Sequence, residues 1–199
     1  MSKAAAAPRL TGKLAKAFRF ALAAHEGQTR KGTNVPYLSH PMAVASLVLE
    51  RGGSQDQAAA ALLHDTVEDC GVSYGLLARS FGAPVMRIVK DCTDSETTPK
   101  PPWMRRKLAY IKHVKACHPR SLLVSAADKL HNASSIVRDV RRGGKSVWKR
   151  FNAEPSQILW YYGALLRQFQ RRRADAPEGF AILVDELGAA VRQLRELPC

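Results

Sequence analysis

Cysteine is sparse and scattered. The four thiols, Cys70, Cys92, Cys117 and Cys199, form no C-x-x-C pair, which argues against a disulfide framework and a zinc knuckle and for reduced, mostly structural thiols. No apolar run approaches the ~20 residues a membrane-crossing helix needs. The basic, Ala-rich start (MSKAAAAPRL) lacks the unbroken apolar segment of a secretory signal. A cytoplasmic protein with no membrane partner is the expectation. Strict alternation with β-branched residues is missing, and so are internal repeats and long Gly/Ser linkers. Acidic residues are also few, with 17 Asp/Glu against 31 Lys/Arg in 199 residues, for a net charge of +14.

What is present is a globular mix, 46% hydrophobic and 24% charged, of a length that suits one domain. The charge is uneven. Residues 100–173 hold 18 Lys/Arg and only three acids, Asp128, Asp139 and Glu154. An anionic partner is expected there, whether nucleic acid, a phosphorylated small molecule or an acidic protein, against the plainer reading of a solvated basic face.

Apolar residues recur at helical spacing almost throughout. Residues 11–26 predict a first helix with Leu14, Phe18, Ala21 and Leu22 on one side. A turn-rich loop follows over 28–39, and His40-Pro41 opens a second helix that stops at Gly52-Gly53. Ser54 caps a third helix, which carries AAAALLHDTVED and ends at Gly71. Further helices are predicted near 73–81, 83–92, 103–116, 119–140, 146–152, 155–173 and 178–196. The Pro-rich stretch 93–102 reads as a loop that could close over a ligand. The architecture expected is all-α, a single domain over 1–199 of roughly ten helices, with residues 1–10 flexible.

The sharpest chemical signal is His64-Asp65-Thr66-Val67-Glu68-Asp69. On a continuous helix His64 and Glu68 stack one turn apart, as do Asp65 and Asp69. The apolar run 58–63 feeds straight into them, so the cluster is carried toward the interior, where carboxylates repel and lose hydration. A divalent cation relieves both costs. The bland reading, a solvated acidic helix end, is weakened because acids at a helix C-terminus oppose its dipole. His40 heads a helix 24 residues earlier, where a cap or packing role is the plain alternative. Asp128 ends the apolar run 122–127, with a salt bridge to Lys129 or Arg138 as its alternative. Two histidines, the Asp beside one of them and a distant Asp make a mixed N/O set suited to Mn²⁺, Fe²⁺ or Zn²⁺ in an open hydrolytic site.

The order H…HD…D, carried by TRKGTNVPYLSHPMAVA, ALLHDTVEDCGVS, IVKDCTD and AADKLHN, resembles the HD phosphohydrolase superfamily. Within it, the pattern is similar to the hydrolase domains of RelA/SpoT enzymes and to free-standing small alarmone hydrolases, over about residues 14–170. A length of 199 leads one to expect no synthetase or regulatory domain. The resemblance implies metal ligands His40, His64, Asp65 and Asp128 around one divalent cation, usually Mn²⁺, with Glu68 and Asp69 catalytic. It implies hydrolysis of the 3′-pyrophosphate of guanosine tetra- and pentaphosphate (ppGpp and pppGpp) to GDP or GTP plus pyrophosphate. Arg30 and Lys31 match residues that grip the nucleobase, and Asn132 matches a nucleoside contact. Lys100, Arg150 and Tyr161 fall near phosphate or ribose contacts.

One departure stands out. After Asn132 the chain reads Ala133-Ser134-Ser135 where longer relatives carry an Arg and a Thr. Ser135 keeps a hydroxyl, but the Arg is missing, which opens alternatives in the same fold, an adenosine alarmone (with an antitoxin role) or the 2′-phosphate of NADPH. The aromatic and basic residues near 148–151 and 160–167 could belong to a nucleic-acid surface. Helical spacing accounts for the aromatics as core, and no reading motif accompanies them, so no specific nucleic-acid partner is expected. Arg171–Arg173 reads as a solvated helix end, His131 as a neighbour that shapes the site without ligating, and His25 stays ambiguous. No residue pattern sets an oligomeric state.

Overall fold

A computed structural model describes residues 10–97 and 99–198; the flexibility expected of the first residues concerns positions that, Leu10 apart, lie outside these. Ten α-helices follow one another: α1 (Gly12–Ala24), α2 (Ser39–Glu50), α3 (Gln55–Leu63), α4 (Thr66–Cys70), α5 (Tyr74–Phe81), α6 (Ala83–Cys92), α7 (Trp103–Val114), α8 (Pro119–Gly143), α9 (Pro155–Arg171) and α10 (Glu178–Arg195). Short 3₁₀ turns occupy Gly144–Arg150 and Arg173–Asp175. Among the described residues there is no strand, only an isolated bridge between Thr29 and Pro36 that pins the loop after α1. The all-α expectation is met.

Helix α8 is the axis. Its 25 residues pack against α2, α3, α6, α9 and α10. The run Ser121–Asp128 is buried on every side, as a helix enclosed by neighbours must be. Helix α3 is the second buried element, with Gln57–Leu63 wholly inside. Its start is secured by a capping box between Ser54 and Gln57, and Gln57 Nε2 donates to the Arg120 carbonyl 2.8 Å away. The head of α3 is thereby tied to the head of α8.

Four details differ from the sequence reading. The third helix does not run on to Gly71; it stops after Leu63 and restarts at Thr66. The buried Thr66 hydroxyl donates to the Leu63 carbonyl, 2.7 Å, and His64 Nδ1 sits 2.8 Å from the Ala61 carbonyl, so side chains take over bonds that a continuing helix would make with its backbone. In place of the helix predicted over 146–152, a 3₁₀ turn spans Gly144–Arg150, starting at the Gly143-Gly144 pair. On α1 the buried stripe runs through Ala17 and Ala21, flanked by Leu14 and Phe18, while Leu22 is 51% exposed. Nor is the arginine run simply solvated, because Arg172 donates to the carbonyls of Val114 (2.9 Å) and Cys117 (3.2 Å).

One contact fixes the seat of α10. A Cβ on Gly179 would lie 1.9 Å from the Arg51 carbonyl oxygen, so the head of α10 touches the end of α2 backbone to backbone. Gly179→Ala is expected to destabilise the chain by on the order of 1–3 kcal/mol, the usual cost of overpacking, read as a lower urea midpoint at unchanged m-value.

Candidate functional site

The break between α3 and α4 makes the centre of the site. In an unbroken helix neighbouring side chains diverge by about 100°. Here Asp65 lies at φ −96°, ψ −5°, and both His64 and Asp65 turn to the same point, with His64 Nε2 3.0 Å from Asp65 Oδ2. His40, in the first turn of α2, comes from the other side, 3.6 Å from the same oxygen. Ligand-type atoms of His40, His64 and Asp65 all lie within 4.8 Å of one another. Asp128, from the middle of α8, joins them through Oδ1, 3.1 Å from His40 Nε2 and 3.6 Å from His64 Nε2.

Both imidazoles are 1% exposed and Asp128 is 3% exposed. Burial presses on every group, yet Asp65 falls below the usual carboxylate range because it faces both histidines. Asp128 does so because Lys129 and the two imidazoles surround it. Burial pushes His40 down; against the same burial, Asp65 and Asp128 hold His64 charged, well above its ordinary value. His64 Nε2 is buried without a hydrogen bond. Two imidazole nitrogens, one of them the His64 Nε2 that lacks a hydrogen bond, and two carboxylates fit a divalent cation.

Neighbouring residues orient this set. The salt bridge envisaged for Asp128 exists beside its turn toward the histidines: Oδ2 takes Lys129 at 2.5 Å, and Oδ1 takes Asn132 Nδ2 at 2.6 Å. The ammonium of Lys129 also lies 4.7 Å from the Tyr110 ring centre. His131, read as a shaping residue, sits with Nδ1 2.8 Å from His40 Nδ1. Sequence reasoning missed Tyr37, whose hydroxyl donates to Asp65 Oδ2 at 2.6 Å and lies 3.3 Å from Asp69 Oδ2. Burial pushes its phenol far up, so it stays a donor. The only signal was its place inside the PYLSHP stretch. His25 is buried under Tyr37, with ring centres 4.8 Å apart, and pairs with Gln28 and Cys70.

Glu68 and Asp69 lie in the first turn of the short α4, not at the C-terminal end of a longer helix, so the dipole argument against a purely structural role lapses. Lys100 Nζ reaches both carboxylates at 2.9 Å, and the backbone N–H of Asp94 donates to Glu68 Oε2 at 3.1 Å. Asp94 and Lys100, from either end of the 93–102 loop, are thus docked onto these acids.

Tyr37 and Asn132, which bind Asp65 and Asp128, also line a cleft of about 420 Å³ together with Arg30, Ser135, Arg138 and Arg150, among others. Arg30 Nη2 donates to Asn132 Oδ1, 2.8 Å, and its guanidinium lies 5.7 Å from the Tyr37 ring centre. Arg150 crosses the loop where Gly32, at φ +69°, leaves room; a Cβ there would meet the Arg150 side chain at 2.6 Å. Arg150 Nη1 is 3.2 Å from Asp139 Oδ2. Lys31 is engaged with Asn152 at 2.7 Å and borders both this cleft and a second hollow of about 220 Å³ lined by Trp103, Lys107, Lys129 and Tyr161. The Tyr161 hydroxyl is buried without a partner. Ser135 accepts from Arg138 Nη2 at 2.9 Å. Ser134 lines an adjoining cavity between α2, α8 and α10, which shares His131 and Arg138 with this cleft.

An all-helical chain with this histidine–aspartate centre belongs to the HD domain family, whose model matches residues 17–158. Two relatives share a name, guanosine-3′,5′-bis(diphosphate) 3′-pyrophosphohydrolase MESH1. The Xenopus tropicalis protein is 39% identical over 136 residues, 67% of this chain and 72% of its own length. The Mus musculus protein is 35% identical over 179 residues, 88% of this chain and 95% of its own. A solved structure, described as a metazoan ortholog of SpoT that hydrolyzes ppGpp, superimposes with a TM-score of 0.73 over 91% of this chain and 96% of that one, at 23% identity, and shares the fold.

A divalent cation held by these side chains is expected to raise the melting temperature. At a free concentration about 100 times its Kd, linkage predicts about 2.7 kcal/mol of added stability. Asp65→Asn should lose most of that gain in thermal scans with and without Mn²⁺; an equal gain in both proteins would place the cation elsewhere.

Proposed function

We propose that this chain removes the 3′-pyrophosphate of ppGpp and pppGpp, giving GDP or GTP and pyrophosphate, as a single HD-type unit over 1–199 working in the cytoplasm. The observation that carries this reading is the His40, His64, Asp65 and Asp128 cluster joined to a cationic cleft by two residues of the cleft wall, Tyr37, which reaches Asp65 and Asp69, and Asn132, which reaches Asp128. The four clustered side chains would hold one divalent cation, Mn²⁺ by preference and Zn²⁺ or Fe²⁺ as substitutes. When bound, it polarises a phosphoryl oxygen and acidifies a water.

The chain's own residues do the rest. Arg30, braced by Asn132, lays its planar guanidinium against the purine. Lys31, Arg150 and the Tyr161 hollow take the sugar and the 5′-phosphates, and Ser135 lends a hydroxyl to the cleft wall. Glu68 takes a proton from the attacking water. The bond from phosphorus to the 3′-oxygen breaks as the new one forms, and the proton taken from the water passes by way of Asp69 to the departing oxygen, so both carboxylates end ionised as they began. Lys100 holds both carboxylates when no substrate competes for it. A pyrophosphate group offers it more negative charge, so substrate entry releases the acids and binds the loop at once.

The arginine missing after Asn132 leaves an adenosine alarmone and the 2′-phosphate of NADPH as the competing substrates for the same site.

Purified, Mn²⁺-loaded protein should release pyrophosphate from ppGpp and stop when EDTA is added. Glu68→Gln should lower kcat by roughly 10²–10⁴, the range for a lost general base, while Arg30→Ala mainly raises KM. Side-by-side kcat/KM values for ppGpp, an adenosine alarmone and NADPH test the substrate. Loaded protein that leaves ppGpp intact refutes the proposal.

A further inference from the structure

Tyr37 stands where the base grip and the metal cluster meet. Its backbone is fixed on both sides: its N–H donates to the Gln28 carbonyl, 2.8 Å, and its carbonyl accepts from the His40 N–H, 2.9 Å. The ring is packed against His25 on one side and meets the His40 imidazole edge-on, with centres 6.0 Å apart. The Arg30 guanidinium lies over it. The hydroxyl donates to Oδ2 of Asp65, the same oxygen that faces His64 and His40. Asp69 Oδ2 is the next acceptor within reach.

A carboxylate oxygen has two lone pairs in its plane. With Tyr37 occupying one, the other is aimed between the two imidazoles, where a cation would take it. A phenol carries one proton, so at any moment it can favour Asp65 or Asp69, and the shorter contact favours Asp65. We propose that Tyr37 is a positioning residue with two separable parts: the hydroxyl sets the Asp65 oxygen that would bind the cation and restrains Asp69, while the ring seats Arg30 for the nucleobase. The inference rests on the proposed alarmone hydrolysis for its kinetic half only.

The test is Tyr37→Phe, which keeps the ring and removes the hydroxyl. Mn²⁺ affinity, read by direct titration of metal-free protein, should weaken about 10- to 100-fold, the usual cost of losing a partner of a metal ligand. kcat for ppGpp should fall by a similar factor, and KM should stay within about twofold. Tyr37→Leu removes the ring as well and should raise KM in addition. Arg30→Met, by contrast, should raise KM and leave Mn²⁺ affinity unchanged. Melting of each metal-free variant checks the fold, and titration below the transition keeps the affinity readable should one melt early. Unchanged Mn²⁺ affinity in Tyr37→Phe overturns the proposal, and so does a rise in KM with kcat intact, which would make Tyr37 a substrate contact only. Should the wild type cleave no alarmone, the proposed function fails while the metal titration still decides the role of the hydroxyl.

Discussion

Placing ionisable groups at the end of an apolar helix is the constraint on which the rest depends. An ionised carboxylate taken out of water costs several kcal/mol even after relaxation, and Asp128 sits on the most enclosed stretch of α8. Its charge is tolerated because every lone pair has an answer: the Lys129 ammonium, the Asn132 amide and two imidazoles. Each answer comes from a different direction. Lys129 and Asn132 belong to α8 itself, His40 to the first turn of α2, and His64 to the break after α3. The helices must therefore be assembled around α8 before the charge is compensated, which ties the site to the fold as a whole. The backbone contact at Gly179 and the Gln57 bond to Arg120 serve that assembly from outside the site.

The surplus of positive charge takes its meaning from the same arrangement. The proposed ligands and catalytic acids gather four of the chain's 17 carboxylates into one corner. Arg30, Lys31, Lys100, Lys107, Lys129 and Arg150 stand around it or along the adjoining hollows. Several of these already have partners: Arg30 and Lys31 the neutral amides of Asn132 and Asn152, Lys107 and Arg150 the carboxylates of Asp94 and Asp139. What faces the cleft is a set of cations held by weak or neutral partners, which a polyanionic ligand can draw away. Charge at that density favours a small molecule with several phosphates over a duplex, which would need a broad basic face. Lys112, Lys115 and Lys149, exposed on other faces, account for part of the excess as ordinary solvated surface.

Much of this was legible in the residues. Helical spacing marked most of the helices, and the apolar runs before His64 and Asp128 marked both as carried inward, because hydrophobic pattern reports burial directly. What the pattern could not report is where a helix pauses. Nothing in AAAALLHDTVED breaks a helix by propensity; the pause is made by the Thr66 hydroxyl and by the pull of three other elements on His64 and Asp65, a tertiary effect that overrides local preference. The role of Tyr37 was hidden for a related reason, since its partners lie 28 and 32 residues away and appear only when α2 and α4 meet. Side-chain direction within a helix is legible in the same local way: one residue's step turns a side chain by about 100°, so Ser134 and Ser135 line adjoining cavities, which share His131 and Arg138.

The 93–102 loop then reads as a part of the site instead of a connection between helices. Asp94 is held by Arg106 and Lys107 from the start of α7, and its backbone N–H is spent on Glu68. Lys100, five residues before Arg105, returns to the same carboxylates. The loop therefore carries a fixed root at Asp94 and a cation at its far end that is exchangeable, since Lys100 is more than a third exposed and water screens its pairs. Two surface pairs of that kind hold a side chain in place without holding it tightly. The root holds Glu68 through the Asp94 N–H, and in the proposed reaction the far end yields to whichever group carries more negative charge. A substrate with a pyrophosphate at its 3′ end meets that condition, whereas a nucleoside lacking it would leave Lys100 on Glu68 and Asp69 and the two acids engaged.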